Sequence, residues 1–203
     1  MTVPAIGRRE QNKLEKRSRI VAAARALFTH KGFQATTSAE IAVAARVASG
    51  TVFTYARTKD DLLIMVFHEE IVELSERAYR AAIRETGLLE QAVAFFDTIV
   101  AHHERDLPLA RALMRQLGYV DSPEQRELVE EITLTTLRLL GQLVDAAQAQ
   151  GEVAAGLSVT AGARSLFAIF YYHLGAFLSG YLDRSQFDRV LRTDLRLLLE
   201  GFR

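Results

Sequence analysis

The sequence predicts an all-α protein, with a small N-terminal unit of three helices followed by a larger helical body. Three observations carry this. Apolar residues recur at steps of three and four over most of the 203 residues, the spacing of one helix face. No stretch alternates apolar and polar side chains as a half-buried strand would. Only three prolines interrupt the chain, and a hydrophobic share of 49% is enough for a buried core.

From about Glu10 to His30, an apolar stripe runs through Leu14, Ile20, Ala23, Ala24, Leu27 and Phe28. Lys31-Gly32-Phe33 closes it, because glycine takes the left-handed conformation that ends helices. Thr37-Ser-Ala-Glu40 has capping-box spacing, in which Thr37 and Glu40 satisfy each other's free backbone amides. The second helix it opens runs to about Ala45. After a turn at Arg46-Val47-Ala48, a third covers Ser49 to Tyr55. Both are shorter than the roughly 12–15 residues an isolated helix needs in water, so they must borrow stability. Leu27, Phe28, Ile41, Ala44, Val47 and Val52 are expected to pack them on the first helix. Thr58-Lys-Asp-Asp61 opens a long fourth helix to about Glu85. Further helices are expected over 87–103, 106–118, 123–149, 159–182 and 185–202. Pro123 after Ser122 suits a first helical position, and Gly151 and Gly156 bound a loop.

The formal net charge is zero, and this hides a split. Residues 1–59 hold eleven basic and three acidic side chains, a net of +8, and the other 144 hold 14 basic and 22 acidic, a net of −8. A basic end on an acidic body suggests a polyanion-binding module; a solvated helix face is the alternative. The absence of cysteine excludes disulfides, thiolate catalysis and cysteine-ligated metals. MTVPAIGRREQNKLEKR has no apolar run after its charges, so it does not read as a signal peptide, and a cytoplasmic protein is expected. Ser165 to Leu182 is uncharged and approaches membrane-spanning length. It holds His173, two serines and three tyrosines, and reads as a buried helix at an interface.

Two stubby helices joined by a tight turn fit a helix-turn-helix, whose second helix enters the DNA major groove while the first braces it. On that reading Ser49, Gly50, Thr51, Thr54 and Tyr55 are presented to DNA, with Gly50 leaving its backbone uncovered. Thr36, Thr37 and the free amides that follow would hold phosphate, as would Lys59 at the start of its own helix. A plain helical hairpin, or a helical protein-interaction module, is the competing interpretation.

Residues 17–63 resemble the DNA-binding domain of the TetR family of transcriptional regulators. The matching words are AA-x-x-LF in the first helix, KGF-x-x-TT, EIA, V-x-x-GT-hydrophobic-aromatic, and T-K-D-D-L. The resemblance implies a homodimer with an N-terminal reader, residues 1–58. A variable helical domain, residues 59–203, would bind a small molecule and set the spacing of the two readers. Most members are repressors released by ligand from a double-stranded DNA operator. This chain departs from the family's usual residues in four places: Arg46 for Gly, Ala48 for Ser, Phe53 for Tyr, and Ala56 for Phe. The cap of the third helix could then pass to Ser49, and Arg46 is either a phosphate contact or a solvated turn residue.

In the body, helix 159–182 is apolar nearly all round, which implies burial on more than one side. Ala168, Gly175, Ala176, Ser179 and Gly180 would permit close approach by a second helix. Phe187, Val190, Leu191, Leu195, Leu198 and Phe202 make a stripe on the last helix. Together they are the expected dimer surface, or else they complete one subunit's core. Candidates to line a small, largely apolar ligand are Phe95, Phe96, Ile99, His102, His103, Met114, Leu117, Tyr119, Phe167, Phe170, Tyr171 and His173. His102 and His103 are adjacent, about 100° apart on a helix, so they cannot chelate one metal as an i, i+4 pair could. No metal or cofactor is expected. The clusters His68-Glu69-Glu70 and His102-His103-Glu104 come with no nucleophile, phosphate-cradling loop or metal spacing. They read as exposed helix surface, and no catalytic residue is assigned.

Overall fold

The computed structural model describes residues 7–118 and 123–202. Among them are nine α-helices and one 3₁₀ turn: α1 Arg8–Lys31, α2 Ser38–Ala44, α3 Ser49–Tyr55, α4 Lys59–Ala82, α5 Leu88–His103, the 3₁₀ turn Glu104–Asp106, α6 Leu107–Gly118, α7 Pro123–Ala149, α8 Val159–Leu178 and α9 Arg184–Glu200. Each helix expected from the sequence is present. The main difference is α8, which stops at Leu178. There Arg111 of α6 donates to the Leu178 carbonyl at 2.6 Å, and Gly180 turns the chain at a φ of 80°. No helix among the described residues is long and apolar enough to cross a membrane. The candidate Tyr119 and the start residue Ser122 lie outside the described residues.

Local chemistry sets the helix starts. Thr37 and Glu40 form the expected capping box, with Glu40 accepting from the Thr37 amide at 2.9 Å. Thr58 and Asp61 form another at the head of α4, and Asp183 with Gln186 a third at α9. Gly32 ends α1 with a φ of 85° and a ψ of 150°, a region essentially reserved for glycine.

The packing divides into two apolar clusters. In the reader cluster, Ile20, Ala24 and Phe28 of α1 meet Ile41, Ala42 and Val52, and Leu62 to Phe67 of α4 close it from below. Leu14 is 47% exposed, so the buried stripe of α1 begins at Ile20 and the helix's first turns project past the core. Ala44 is exposed as well, and Ala42 and Ala45 take the inward positions of α2.

The body cluster unites the second half of α4 with α5, α7, α8 and α9. Phe187, Leu191 and Leu195, expected at a dimer face, are buried in this chain's own core. Most of the apolar stripe of α9 is therefore used within this chain. Val190, Leu198, Gly175 and Ala176 are half-buried, and Ala168 and Ser179 are exposed. Arg192 grips Glu90 with both guanidinium nitrogens, and Arg184 reaches Asp97, Glu104 and Asp188, pinning α9 to α5.

Candidate nucleic-acid interface and ligand cavity

α3 is anchored by Val52, which is buried, and presents Ser49, Gly50 and Thr54 to solvent, with Thr51 half-buried. Its cap residue is Ala48, and no side chain caps the helix, so Ser49 does not take that role. Four residues expected at DNA are committed elsewhere. Thr37 donates its amide and its hydroxyl to Glu40, each at 2.9 Å. Tyr55 donates its hydroxyl to the Lys13 carbonyl at 3.1 Å, tying α3 to α1. Thr36 is buried and donates to the Gly32 and Leu27 carbonyls at 2.9 and 3.3 Å. Lys59 donates to the Phe33 and Gln34 carbonyls at 2.8 and 3.2 Å, with its ammonium 4.4 Å from the Phe33 ring centre. Thr36 and Lys59 thus satisfy backbone carbonyls of the turn after α1, as buried and half-buried polar groups generally find partners.

Exposed cations come instead from the projecting part of α1. Arg8, Arg9, Lys16 and Arg19 are exposed and make no ion pair among the described residues. The basic count located this end of the chain, and the projection of α1 brings these side chains clear of the core. Arg46 is exposed at a φ of 55°, the only non-glycine residue of positive φ among the described residues. The turn therefore keeps the conformation a glycine would give it. Phe53, unassigned from the sequence, is 51% exposed on α3. Lys31 pairs with Glu40, and this, with the Thr37 hydrogen bonds, holds the Glu40 carboxyl down to about 2.

An apolar cavity of about 210 Å³ lies in the body. Seven of the expected residues line it: Ile99, His103, Met114, Leu117, Phe167, Phe170 and Tyr171. Phe95 and Phe96 do not; they are core, and Phe96 stacks behind Phe170 with ring centres 4.3 Å apart. His173 is also elsewhere, held by Asp194 of α9 at 2.8 Å. The sequence reading missed the walls from α4 and α7, namely Ile71, Leu74, Ser75, Ile132, Thr133 and Thr136. Their hydroxyls are turned away from any guest. Ser75, Thr133 and Thr136 each donate to a carbonyl one helical turn back, and Ser75 and Thr136 also meet at 3.0 Å. Apart from His103 and Tyr171, the rest of the lining is hydrocarbon.

A second, polar cavity of about 430 Å³ adjoins it and shares Ile71, His103, Ala110 and Leu113. It lies between α1, α4, α5 and α6, with Arg25, Glu70, His102, Arg105 and Asp106 in its walls. Glu70 and His102, read from sequence as exposed surface, are thus part of a half-buried junction, 3.6 Å apart. Burial lowers the pKa of His102, and burial together with His102 pushes His103 down to about 4. At neutral pH His103 is uncharged, with one N–H to donate and one nitrogen to accept.

Three residues, Ile71, Leu113 and Leu117, belong at once to the apolar cavity's wall and to the packing around the reader cluster. The cavity wall and the packing of the reader thus share side chains, and packed interiors transmit strain.

Residues 20–66 match the family described as bacterial regulatory proteins, tetR family. The chain is 26% identical over 163 residues to the fatty acid metabolism regulator protein of Bacillus subtilis (strain 168), covering 77% of this chain and 80% of that one. Its fold is similar to Thermus thermophilus FadR, a TetR-family transcriptional repressor solved in complex with lauroyl-CoA. There the TM-score is 0.74 at 28% identity, over 92% of this chain and 95% of that one. FadR from Bacillus subtilis in complex with stearoyl-CoA superposes with a TM-score of 0.67 at 22% identity, over 92% and 99% of the two chains.

Proposed function

We propose that this chain, whose residues 20–66 match the tetR family of bacterial regulatory proteins, is a cytoplasmic repressor released from its operator by a long-chain acyl thioester. The reader would be residues 1–58 and the effector domain residues 59–203, with α4 shared between them. The observation that carries the reading is the hydrocarbon-faced cavity whose wall residues Ile71, Leu113 and Leu117 also support the reader.

The acyl chain would occupy the apolar cavity. The thioester would lie near the neutral His103 imidazole, where the two cavities meet. The anionic remainder would face Arg25 and Arg105 in the polar cavity. The relatives' acyl-CoA complexes support this ligand class.

DNA would be held by a homodimer. Outward-facing Tyr172 and Leu197, 72% and 61% exposed on the adjacent helices α8 and α9, supply an apolar patch for the partner. Two α3 helices would then meet half-sites of a pseudo-palindrome about 34 Å apart. Of the DNA contacts expected from sequence, Ser49, Gly50, Thr51, Thr54 and Arg46 would meet DNA, joined by the cations of α1, while Thr37 is held by Glu40. Ligand shifts the population toward a reader separation that no longer fits.

The test is binding of the purified protein to an operator selected from genomic fragments, titrated with dodecanoyl-CoA, free coenzyme A and dodecanoate. Release by the thioester alone supports the reading. Retention of the operator at saturating thioester defeats the ligand assignment, and failure to select any site defeats the DNA assignment.

A further inference from the structure

We propose that Phe53 sets part of the operator sequence by packing against a thymine C5-methyl group in each half-site. This rests on the DNA-binding reading above. The other side chains that α3 turns outward are small: Ser49, Gly50, Thr54 and the half-buried Thr51. The helix can therefore seat deeply, and the group projecting farthest is a phenyl ring left 51% exposed.

A phenyl ring has no donor or acceptor. It cannot hydrogen-bond a phosphate, and it cannot replace water at a base nitrogen or oxygen. Among the base edges of the major groove, the thymine C5-methyl is the apolar group on offer. Any other base would leave the ring wet or strip water from a polar edge without compensation.

The surroundings of the ring point the same way. Phe53 shares a groove with Lys13 and Arg17 of α1 and with Arg57. The acids there are Glu10, Asp61 and Glu127, and Asp61 is already engaged by the Thr58 amide and by Gln125. A strand whose phosphates lie along Lys13 and Arg17 brings its neighbouring base edges, rather than its phosphate oxygens, to the ring.

The experiment begins with selection of a bound site from random duplex DNA by the full chain. The chosen duplex is then made with thymine and with uracil throughout, which keeps every base pair and removes only the methyl groups. We expect the wild-type protein to bind the uracil duplex about fifteenfold more weakly, at about fourfold for each of two buried methyls. Phe53→Ala should bind both duplexes alike, and Phe53→Leu should keep part of the preference. Equal binding of the two duplexes by the wild type overturns the proposal. So does a Phe53→Ala variant that keeps the full preference, which would assign the methyl contact to Thr51 or Thr54. Selection of no site at all overturns the DNA-binding reading and this proposal with it.

Discussion

Arg25 of α1 and Glu70 of α4 form an ion pair across the junction between reader and body, 45 positions apart in the chain. The same guanidinium donates to the Val66 carbonyl and lies 5.2 Å from the centre of the Phe67 ring. The polar cavity opens on both partners. An anionic ligand group there would compete with Glu70 for Arg25, and on the proposed function the pair would couple ligand to reader.

Arg25→Ala should therefore weaken communication more than folding. We expect a stability loss of about 1 kcal/mol or less, because the pair is part-exposed. The ratio of operator affinities without and with dodecanoyl-CoA should fall about fivefold. Glu70→Gln should behave alike, and the double variant should be no worse than either single one. Anisotropy of a labelled operator reads all three, and an unchanged ratio would remove the pair from the coupling route.

Arg46 holds a positive φ in the turn between α2 and α3. A side chain there costs roughly 1–2 kcal/mol relative to glycine. Arg46→Gly should raise the melting temperature by about 2–8 °C in a chain of this size. Operator binding should lose one phosphate contact if the exposed guanidinium makes one, seen as a shallower dependence on salt.

Lys59 and Arg17 should separate structure from DNA contact. Lys59 is spent on the Phe33 and Gln34 carbonyls, so Lys59→Ala should cost about 1–2 kcal/mol in denaturant unfolding and leave the salt slope of DNA binding unchanged. Arg17→Ala, on the projecting half of α1, should leave stability within about 0.5 kcal/mol and reduce that slope by about one. The opposite pattern would restore Lys59 as the phosphate clamp.

His103 makes stability depend on pH. Its folded pKa, near 4, is below the ordinary imidazole value of 6.5, so the unfolded chain binds the proton more readily. The contribution is fully present above pH 6.5 and is lost as pH falls toward 4, by about 3 kcal/mol. His102 is shifted in the same direction and remains in the variant. Melting curves of wild type and His103→Gln should therefore diverge in slope between pH 6.5 and 4, with the variant flatter. Parallel curves would mean that His103 is not desolvated.

The amino-acid sequence by itself determined what depends on near neighbours. The capping boxes Thr37–Glu40 and Thr58–Asp61, the turn at Gly32 and the periodicity of each helix are interactions within a few residues, and the chain alone specifies them. The charge split between reader and body is likewise a property of composition. Tertiary structure alone decided where the polar groups of Thr36, Tyr55 and Lys59 are spent, because their partners lie on other elements or across the turn after α1. It also decided which apolar side chains enclose the cavity. Phe96 and Phe170 are equally apolar in sequence, but only Phe170 faces the cavity while Phe96 backs it. The α4 and α7 walls, and the burial of Phe187, Leu191 and Leu195 inside one chain, follow from how the helices pack. Helix periodicity names a buried face, and only packing says whether core, cavity or partner covers it.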